Sequence, residues 1–258
     1  MEFEPIGIYH GDATYKYEMP RQGVFAGGSG RIELKAGRNF EMALRDLGGF
    51  ERLWILFVFD QNKGEWRPTT RPPVAAPGLE RVGTFASRSP YRPNPIGLSC
   101  VRLLSVKGRV LEISEADLLD GTPILDIKPY IPAADAFPLA QAGWVDAQTR
   151  DAWTVQASSR FEDKAVFVRA HGGLDVLNSA RVQLAQAPFD SSRKRVARNS
   201  ESSGTLSLRM FRLDFTVDEP NRLVVLQDLR SGYSADDLVC ADDPYADKDL
   251  HRAFCMAF

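Results

Sequence analysis

The first 140 residues consist of short apolar runs separated by turn residues, and they hold most of the 16 prolines of the chain. Because proline and glycine interrupt helices and bound strands, this pattern predicts short strands with few helices. Strands are predicted at residues 3–9, 31–34, 53–59, 82–86, 96–106, 110–116 and 124–130, with one helix at residues 39–47. This spacing favours a mainly β fold, an antiparallel β-barrel, over alternating strands and helices.

The run at residues 53–59 (LWILFVF) is nearly continuous in apolar residues, which predicts a central strand buried on both faces. The pattern weakens near residues 138–150, where we place a linker. Beyond it we expect a smaller α+β region with a helix at residues 174–187, a charged loop at 191–203 and two strands, 206–217 and 222–229. The predicted domains are therefore a β-barrel at residues 1–140 and a C-terminal domain at residues 150–258.

Composition places the chain among ordinary soluble globular proteins, with 44% hydrophobic and 26% charged residues. A net charge of -2 argues against coating nucleic acid through bulk charge, although it does not exclude a local basic patch. The three cysteines and three histidines lack metal-ligand spacing, so we expect no metal site and a reducing, cytoplasmic location. No apolar run reaches the roughly 20 residues that span a bilayer, and no signal peptide is evident.

Residues 88–99 (RSPYRPNPIGLS) combine three prolines with two arginines and an asparagine. Proline fixes the backbone angle φ and removes a hydrogen-bond donor, so this segment is predicted to be a stiff extended loop. Stiffness of this kind is not needed merely to connect two strands. A rigid loop that displays polar side chains is typical of a preorganised binding site.

Residues 117–130 (DLLDGTPILDIKPY) add three carboxylates and a tight turn. The turn at residues 120–121 is expected to point its backbone N–H groups outward at a ligand. Its acidic side chains can accept hydrogen bonds from a ribose or an amine. Asp126 has two interpretations, a contact to a ligand or an exposed surface pair with Lys128.

Two further segments are candidates. The short polar turn at residues 20–23 (PRQG) is a weak signal in isolation. The segment at residues 191–203 (SSRKRVARNSESS) is either a solvated loop or a patch that contacts phosphates. The chain has no GxSxG, HExxH, P-loop or GxGxxG motif. A donor-rich and acceptor-rich site without an activated nucleophile suits a reaction whose reactivity is carried by a cofactor.

Read together, residues 83–99 (GTFASRSPYRPNPIGLS) and 117–132 (DLLDGTPILDIKPYIP) resemble the signature of the TrmO family of S-adenosylmethionine-dependent tRNA methyltransferases. PRQG at residues 20–23, LWILFVF at 53–59 and WRPTTRPP at 66–73 fall in the expected order. The resemblance covers roughly residues 1–135 and is less distinctive in the C-terminal region.

The resemblance implies an antiparallel β-barrel methyltransferase that binds S-adenosyl-L-methionine and acts as a homodimer. The implied substrate is tRNA, at the exocyclic nitrogen of the threonylcarbamoyl-modified adenosine beside the anticodon. By position, cofactor contacts are implied at Pro20, Arg21, Gln22, Asp60, Gln61, Arg88, Leu98, Asp117, Leu118, Leu119 and Asp120. Many members of the family have histidine where this chain has Asp60, so a side-chain contact there would differ.

The remaining roles are expectations. RNA contacts are expected from local basic residues, namely Arg92, Lys128, Arg193, Lys194 and Arg195. The proton released by the acceptor nitrogen could pass to Asp120 or Asp126, and the sequence does not choose between them. Two alternative hypotheses keep the same barrel and cofactor site. In the first, the chain is a small-molecule methyltransferase, and in the second it is a binding protein that senses S-adenosylmethionine without turnover.

Overall fold

The computed structural model describes residues 2–18, 29–72, 79–146, 153–192 and 194–258. It falls into two compact units, Met1–Gln141 and Ala142–Phe258. The strands of the first unit are β1 (Gly7–Gly11), β2 (Ser29–Leu34), β3 (Arg52–Val58), β4 (Thr69–Thr70), β5 (Val82–Gly83), β6 (Ile96–Lys107), β7 (Val110–Ser114) and β8 (Pro123–Pro129). Its helices are α1 (Phe40–Ala43) and α2 (Pro132–Asp135).

Six of these strands close into an antiparallel barrel in the order β1-β2-β7-β6-β3-β8, and β4 pairs separately with β5. Closure occurs at β1, where Gly7 lies opposite Leu34 on one side and Ile124 on the other. In a barrel, successive side chains alternate between the interior and the outside. Leu53, Ile55 and Phe57 are accordingly buried. The prediction that residues 53–59 are buried on both faces is wrong, because only one face of a barrel strand meets the interior.

The predicted helix at residues 39–47 forms only in part. It is reduced to the four residues of α1 and a separate 3₁₀ turn, Leu47–Gly49. Asn39 and Asp46 have positive φ angles of 57° and 65°, and this left-handed backbone interrupts a continuous helix.

The second unit is a five-stranded sheet with helices. Its strands are β9 (Thr154–Ala157), β10 (Val196–Arg198), β11 (Ser203–Leu208), β12 (Phe211–Asp218) and β13 (Leu223–Ser231). Its helices are α3 (Ser159–Gly172), α4 (Val176–Leu184), α5 (Ala235–Val239) and α6 (Lys248–Ala257). The strand order is β10-β11-β12-β13-β9, and β9 alone of these runs parallel to its neighbour. The predicted fold class, a mainly β barrel followed by a smaller α+β region, is confirmed.

Two local predictions for this unit are wrong. Residues 206–217 are not one strand but the hairpin of β11 and β12, which turns at Arg209 with a φ of 48°. The segment at 191–203 is not loop throughout, because it contains β10. Among the described residues no helix is long and apolar enough to cross a membrane.

Candidate functional site

The turn between β7 and β8 carries two of the predicted carboxylates. Its backbone is tied to the segment around β1, because the N–H of Asp120 donates to the carbonyl of Ala13 (2.8 Å) and that of Gly121 to the carbonyl of Tyr9 (2.9 Å). The expectation that these two N–H groups point at a ligand is therefore wrong. The groups of this turn that remain for a ligand are its aspartate side chains, and not the N–H groups of Asp120 and Gly121.

Asp117 and Asp120 are held in different ways. The half-buried carboxylate of Asp117 accepts a hydrogen bond from the hydroxyl of Ser99, which is buried on β6. Asp120 accepts from the backbone N–H of Gly11 at 3.2 Å, and its Oδ1 lies 3.6 Å from Nδ1 of His10. The side chain of Asp120 is still 50% exposed. One carboxylate is thus fixed against the barrel and the other is open to solvent.

Tyr9 is a central residue of this region that the sequence did not single out. Its side chain is buried, and its pKa is raised to about 12, first by burial and then by three nearby carboxylates. These carboxylates belong to Asp12, Asp120 and Asp117. A Cβ atom at Gly30 would come within 2.3 Å of the Tyr9 hydroxyl, so Gly30 leaves the space that the phenol fills. Gly30 pairs with Gly11 across strands β1 and β2. These two glycines were the feature of the sequence that could have indicated a large side chain packed between them.

The end of β3 brings another predicted pair into position. Asp60 and Gln61 are exposed in the 3₁₀ turn Asp60–Asn62. The N–H of Phe59 donates to the carbonyl of Pro95 at 2.8 Å, and Nζ of Lys16 donates to the carbonyl of Gln61 at 2.9 Å. These bonds join the turn to the proline-rich loop on one side and to the N-terminal segment on the other.

The proline-rich loop is pinned by its own backbone. The guanidinium of Arg92 donates to the carbonyls of Ser87 (2.9 Å) and Thr84 (3.2 Å). Thr84 is buried, and its hydroxyl donates to the carbonyl of Arg67. Arg88, by contrast, is exposed. The loop therefore has a set shape with at least one arginine at its surface.

The leucines assigned to the cofactor have different environments. Leu98 points outward from β6 and is 52% exposed, while Leu119 is half-buried. The side chain of Leu118 is 2% exposed and belongs to the barrel core. A contact from Leu118 would have to be made by its backbone.

The structure separates Asp126 from the carboxylates near Tyr9. Asp126 lies opposite Leu56 on the outer wall of the barrel, and its Oδ2 is 2.6 Å from Nζ of Lys128. Both side chains are about half exposed, at 45% and 60%. This geometry matches the exposed surface pair, the second of the two interpretations.

The basic segment of the second unit is less open than expected. Nζ of Lys194 donates to the carbonyls of Gln186 and Ala187, the latter at 3.0 Å, and the residue is half-buried. Arg195 is exposed. The predicted site residues Pro20, Arg21, Gln22 and Arg193 lie outside the described residues.

The site therefore offers carboxylates, a buried phenol and a rigid loop. Within the described ranges, no group of three or more histidine, cysteine, aspartate or glutamate residues converges on a possible metal position. The carboxylates favour a cationic ligand over an anionic one, because opposite charges attract.

Comparison with known proteins identifies the family. Residues 8–136, half of the chain, match the family model described as "tRNA-methyltransferase O N-terminal domain". A tRNA (adenine(37)-N6)-methyltransferase of Escherichia coli is 44% identical over 152 residues, which cover 57% of this chain. A probable S-adenosyl-L-methionine-binding protein of Pyrococcus abyssi is 34% identical over 160 residues, covering 62% of this chain and 84% of that protein. The match spans only 64% of the length of the Escherichia coli relative.

Similarity to solved structures extends over more of this chain than the sequence matches do. One, titled "Crystal structure of TrmO", has a TM-score of 0.64 and 30% sequence identity, and it covers 89% of this chain and 98% of its own. A second, of TrmO from Pseudomonas aeruginosa, has a TM-score of 0.64 at 28% identity. On these matches, with the barrel and its carboxylate-bearing turn, the chain belongs to the TrmO family.

Proposed function

We propose that the chain is an S-adenosyl-L-methionine-dependent methyltransferase whose substrate is tRNA. The methyl group goes to the exocyclic nitrogen of the threonylcarbamoyl-modified adenosine next to the anticodon. The observation that carries this proposal is the set of carboxylates around Tyr9, two of which lie in the segment at residues 117–132. The name of the Escherichia coli relative supports the substrate, and the name of the Pyrococcus abyssi relative supports the cofactor.

The charges of the site fit this cofactor. S-adenosylmethionine supplies, when bound, a methyl group activated by a positively charged sulfur. Asp117 and Asp120 favour a cationic ligand through their negative charge. Asp120 is half exposed, so it can exchange water for a ligand without opening the barrel.

We assign the cofactor contacts to both sides of this site. Side chains would contribute from Asp60, Gln61, Arg88, Leu98 and the two aspartates, with backbone contacts from Leu118 and Leu119. Pro20, Arg21 and Gln22 complete the proposed set by their position in the motif. The bonds that Phe59 and Lys16 make hold the Asp60 turn against the loop and the N-terminal segment.

The chain's task in the reaction is mainly alignment. Displacement at a sulfonium methyl needs the nucleophile in line, and the leaving thioether is neutral and needs no acid. The nitrogen loses a proton, for which we propose Asp120 as the acceptor. Asp126 is the poorer candidate because its carboxylate is paired with Lys128.

RNA binding would rest on local basic groups rather than on net charge. We assign this role to Arg92, Lys128 and the segment Arg193, Lys194 and Arg195. Of the two described residues of that segment, Arg195 is exposed and Lys194 is half-buried and anchored to backbone carbonyls. We further propose a cytoplasmic homodimer built from a methyltransferase domain at residues 1–140 and a C-terminal domain at residues 150–258.

Expression in an Escherichia coli strain that lacks its own relative tests the proposal. Nucleosides from its tRNA would be analysed by mass spectrometry, with and without this chain. We expect the methylated threonylcarbamoyl-adenosine to reappear with the wild-type chain and to fall sharply with Asp120→Asn. Unchanged tRNA, together with intact cofactor binding by the purified chain, would exclude the tRNA substrate and favour a small-molecule acceptor or a sensing role.

A further inference from the structure

Two exposed aromatic rings stack on each other beside the proline-rich loop. The ring centroids of Trp66 and Phe85 are 5.8 Å apart, and the ring planes meet at 28°. The pairing of β4 with β5 and the bond from the N–H of Thr84 to the carbonyl of Pro68 hold the two segments together. The stacked pair therefore stands on a fixed base.

The fold does not account for this pair. Phe85 is 73% exposed and Trp66 is 45% exposed, and neither belongs to the barrel core. Single exposed apolar side chains are common on soluble proteins. A stacked, well-anchored pair is different, because it offers a flat apolar face of fixed orientation to another molecule.

Two arginines lie close to aromatic rings in this region. The guanidinium of Arg92 lies 5.6 Å from the Phe85 ring centroid, and that of Arg67 lies 4.1 Å from the ring of Tyr91. Residues 84–99 contain two arginines and no acidic residue. Within the described parts of the chain, no carboxylate lies within 4.0 Å of the guanidinium of Arg92. The side chain is instead held by the backbone carbonyls of Ser87 and Thr84.

We propose that Trp66 and Phe85 form a stacking platform for an unpaired base of a single-stranded RNA loop. Aromatic faces bind bases of any sequence, and adjacent arginines attract the phosphate backbone. A neutral peptide would gain from the apolar faces but not from this charge. The inference rests on the proposed function, since it gives that RNA substrate a place to bind outside the carboxylate site.

The test measures tRNA affinity by fluorescence anisotropy with the full chain. Phe85→Leu and Trp66→Leu remove the rings but keep apolar volume, and we expect each to weaken binding between about fivefold and a hundredfold. Phe85→Trp keeps a ring and should restore most of the affinity. Phe137→Leu is the matched control, because Phe137 is also 73% exposed in the same unit and should leave tRNA affinity unchanged.

Two more measurements separate the outcomes. S-adenosylmethionine binding should be equal in the wild type and in all four variants, which shows that the chain is folded. Wild-type tRNA affinity retained by both leucine variants would overturn the platform and leave the proposed function standing. Loss of dimer mass in Phe85→Leu would assign the rings to a protein interface and also overturn the platform. A wild-type chain that binds the cofactor but no tRNA would remove the tRNA substrate together with the platform.

Discussion

Each unit of the molecule holds a tyrosine near carboxylates, but the two surroundings differ in their access to solvent. In the barrel unit, Tyr9 lies near Asp120, whose side chain is 50% exposed. In the second unit, the hydroxyl of Tyr233 donates to Asp247 at 3.0 Å, and Asp247 is only 7% exposed. Burial and then this hydrogen bond raise the pKa of Tyr233.

The second unit holds further buried polar groups. Oδ2 of Asp247 lies 3.6 Å from Nε2 of the fully buried His251, and both atoms lack a hydrogen-bond partner among the residues that the structure describes. The ammonium of Lys164, with 8% of its side chain exposed, donates to Asp228 (2.7 Å) and to the carbonyl of Leu229 (2.9 Å). The ammonium of Lys164, which is paired within the chain, therefore has little capacity left for a ligand. Substitutions there should change stability, whereas substitutions around Tyr9 should change binding.

The largest effect is expected from Lys164→Ala. Removing this ammonium leaves the partly buried Asp228 and a buried carbonyl without their main partner, and the unfolding free energy should fall by about 3 kcal/mol. Denaturant unfolding of the full chain measures it. The matched control is Arg160→Ala, which removes a 69% exposed partner of the same carboxylate and should cost less than about 1 kcal/mol. Equal losses of unfolding free energy in the two variants, or a changed cofactor affinity in Lys164→Ala, would contradict the contrast between the two units.

A pH titration of stability addresses Tyr9. Its pKa is raised from 10.0 to about 12 in the folded state, so the folded chain holds the phenolic proton more tightly. The stabilisation is complete below pH 10 and is lost as the pH rises towards 12, in total about 2.5 kcal/mol. Between pH 9 and pH 11 the unfolding free energy of the wild type should fall, relative to that of Tyr9→Phe, by about half of this amount. A constant difference would show that the phenol does not titrate in this way.

Gly30→Ala tests the space beside the Tyr9 hydroxyl. The new methyl group would meet that oxygen at 2.3 Å and the backbone carbonyl of His10 at 2.6 Å, so the phenol and the strand must shift, at about 1–3 kcal/mol. Gly48→Ala is the control, because a Cβ there meets nothing within 4 Å. We expect weaker cofactor binding only in Gly30→Ala, measured by calorimetry. Equal behaviour of the two variants would mean that Tyr9 does not shape the site.

The smallest effect is expected from Asp126→Asn. It breaks an ion pair whose side chains are 45% and 60% exposed, so stability should change by less than about 1 kcal/mol. Methylation of tRNA should continue at nearly the wild-type rate. A loss of turnover with unchanged cofactor affinity would instead make Asp126 the proton acceptor.

The barrel could be predicted from the sequence because its strands follow local rules. Apolar runs bounded by glycine and proline gave β6, and Gly108, with a φ of 58°, marks the turn into β7. The second unit breaks these rules. Helix α3 was not predicted, because the charged Lys164 lies on its buried face, and the turn at Arg209 has positive φ without a glycine.

The site was predictable only where it is contiguous in sequence. The turn with Asp117 and Asp120 stands out by composition. Tyr9 does not, because two of its three carboxylates, Asp117 and Asp120, come from a turn more than 100 residues away, and only strand pairing brings them together. The outward direction expected for the N–H groups of the turn failed for the same reason, since their acceptors lie in the first 13 residues.

Calorimetric titration of the full chain with S-adenosylmethionine tests the central claim, that the carboxylates around Tyr9 hold the cofactor. We predict one site per chain in the wild type, with about tenfold weaker affinity in Asp120→Asn, or about 1.4 kcal/mol, and no change in Asp126→Asn. Equal affinity in Asp120→Asn and the wild type, or no binding by the wild type, would contradict the claim.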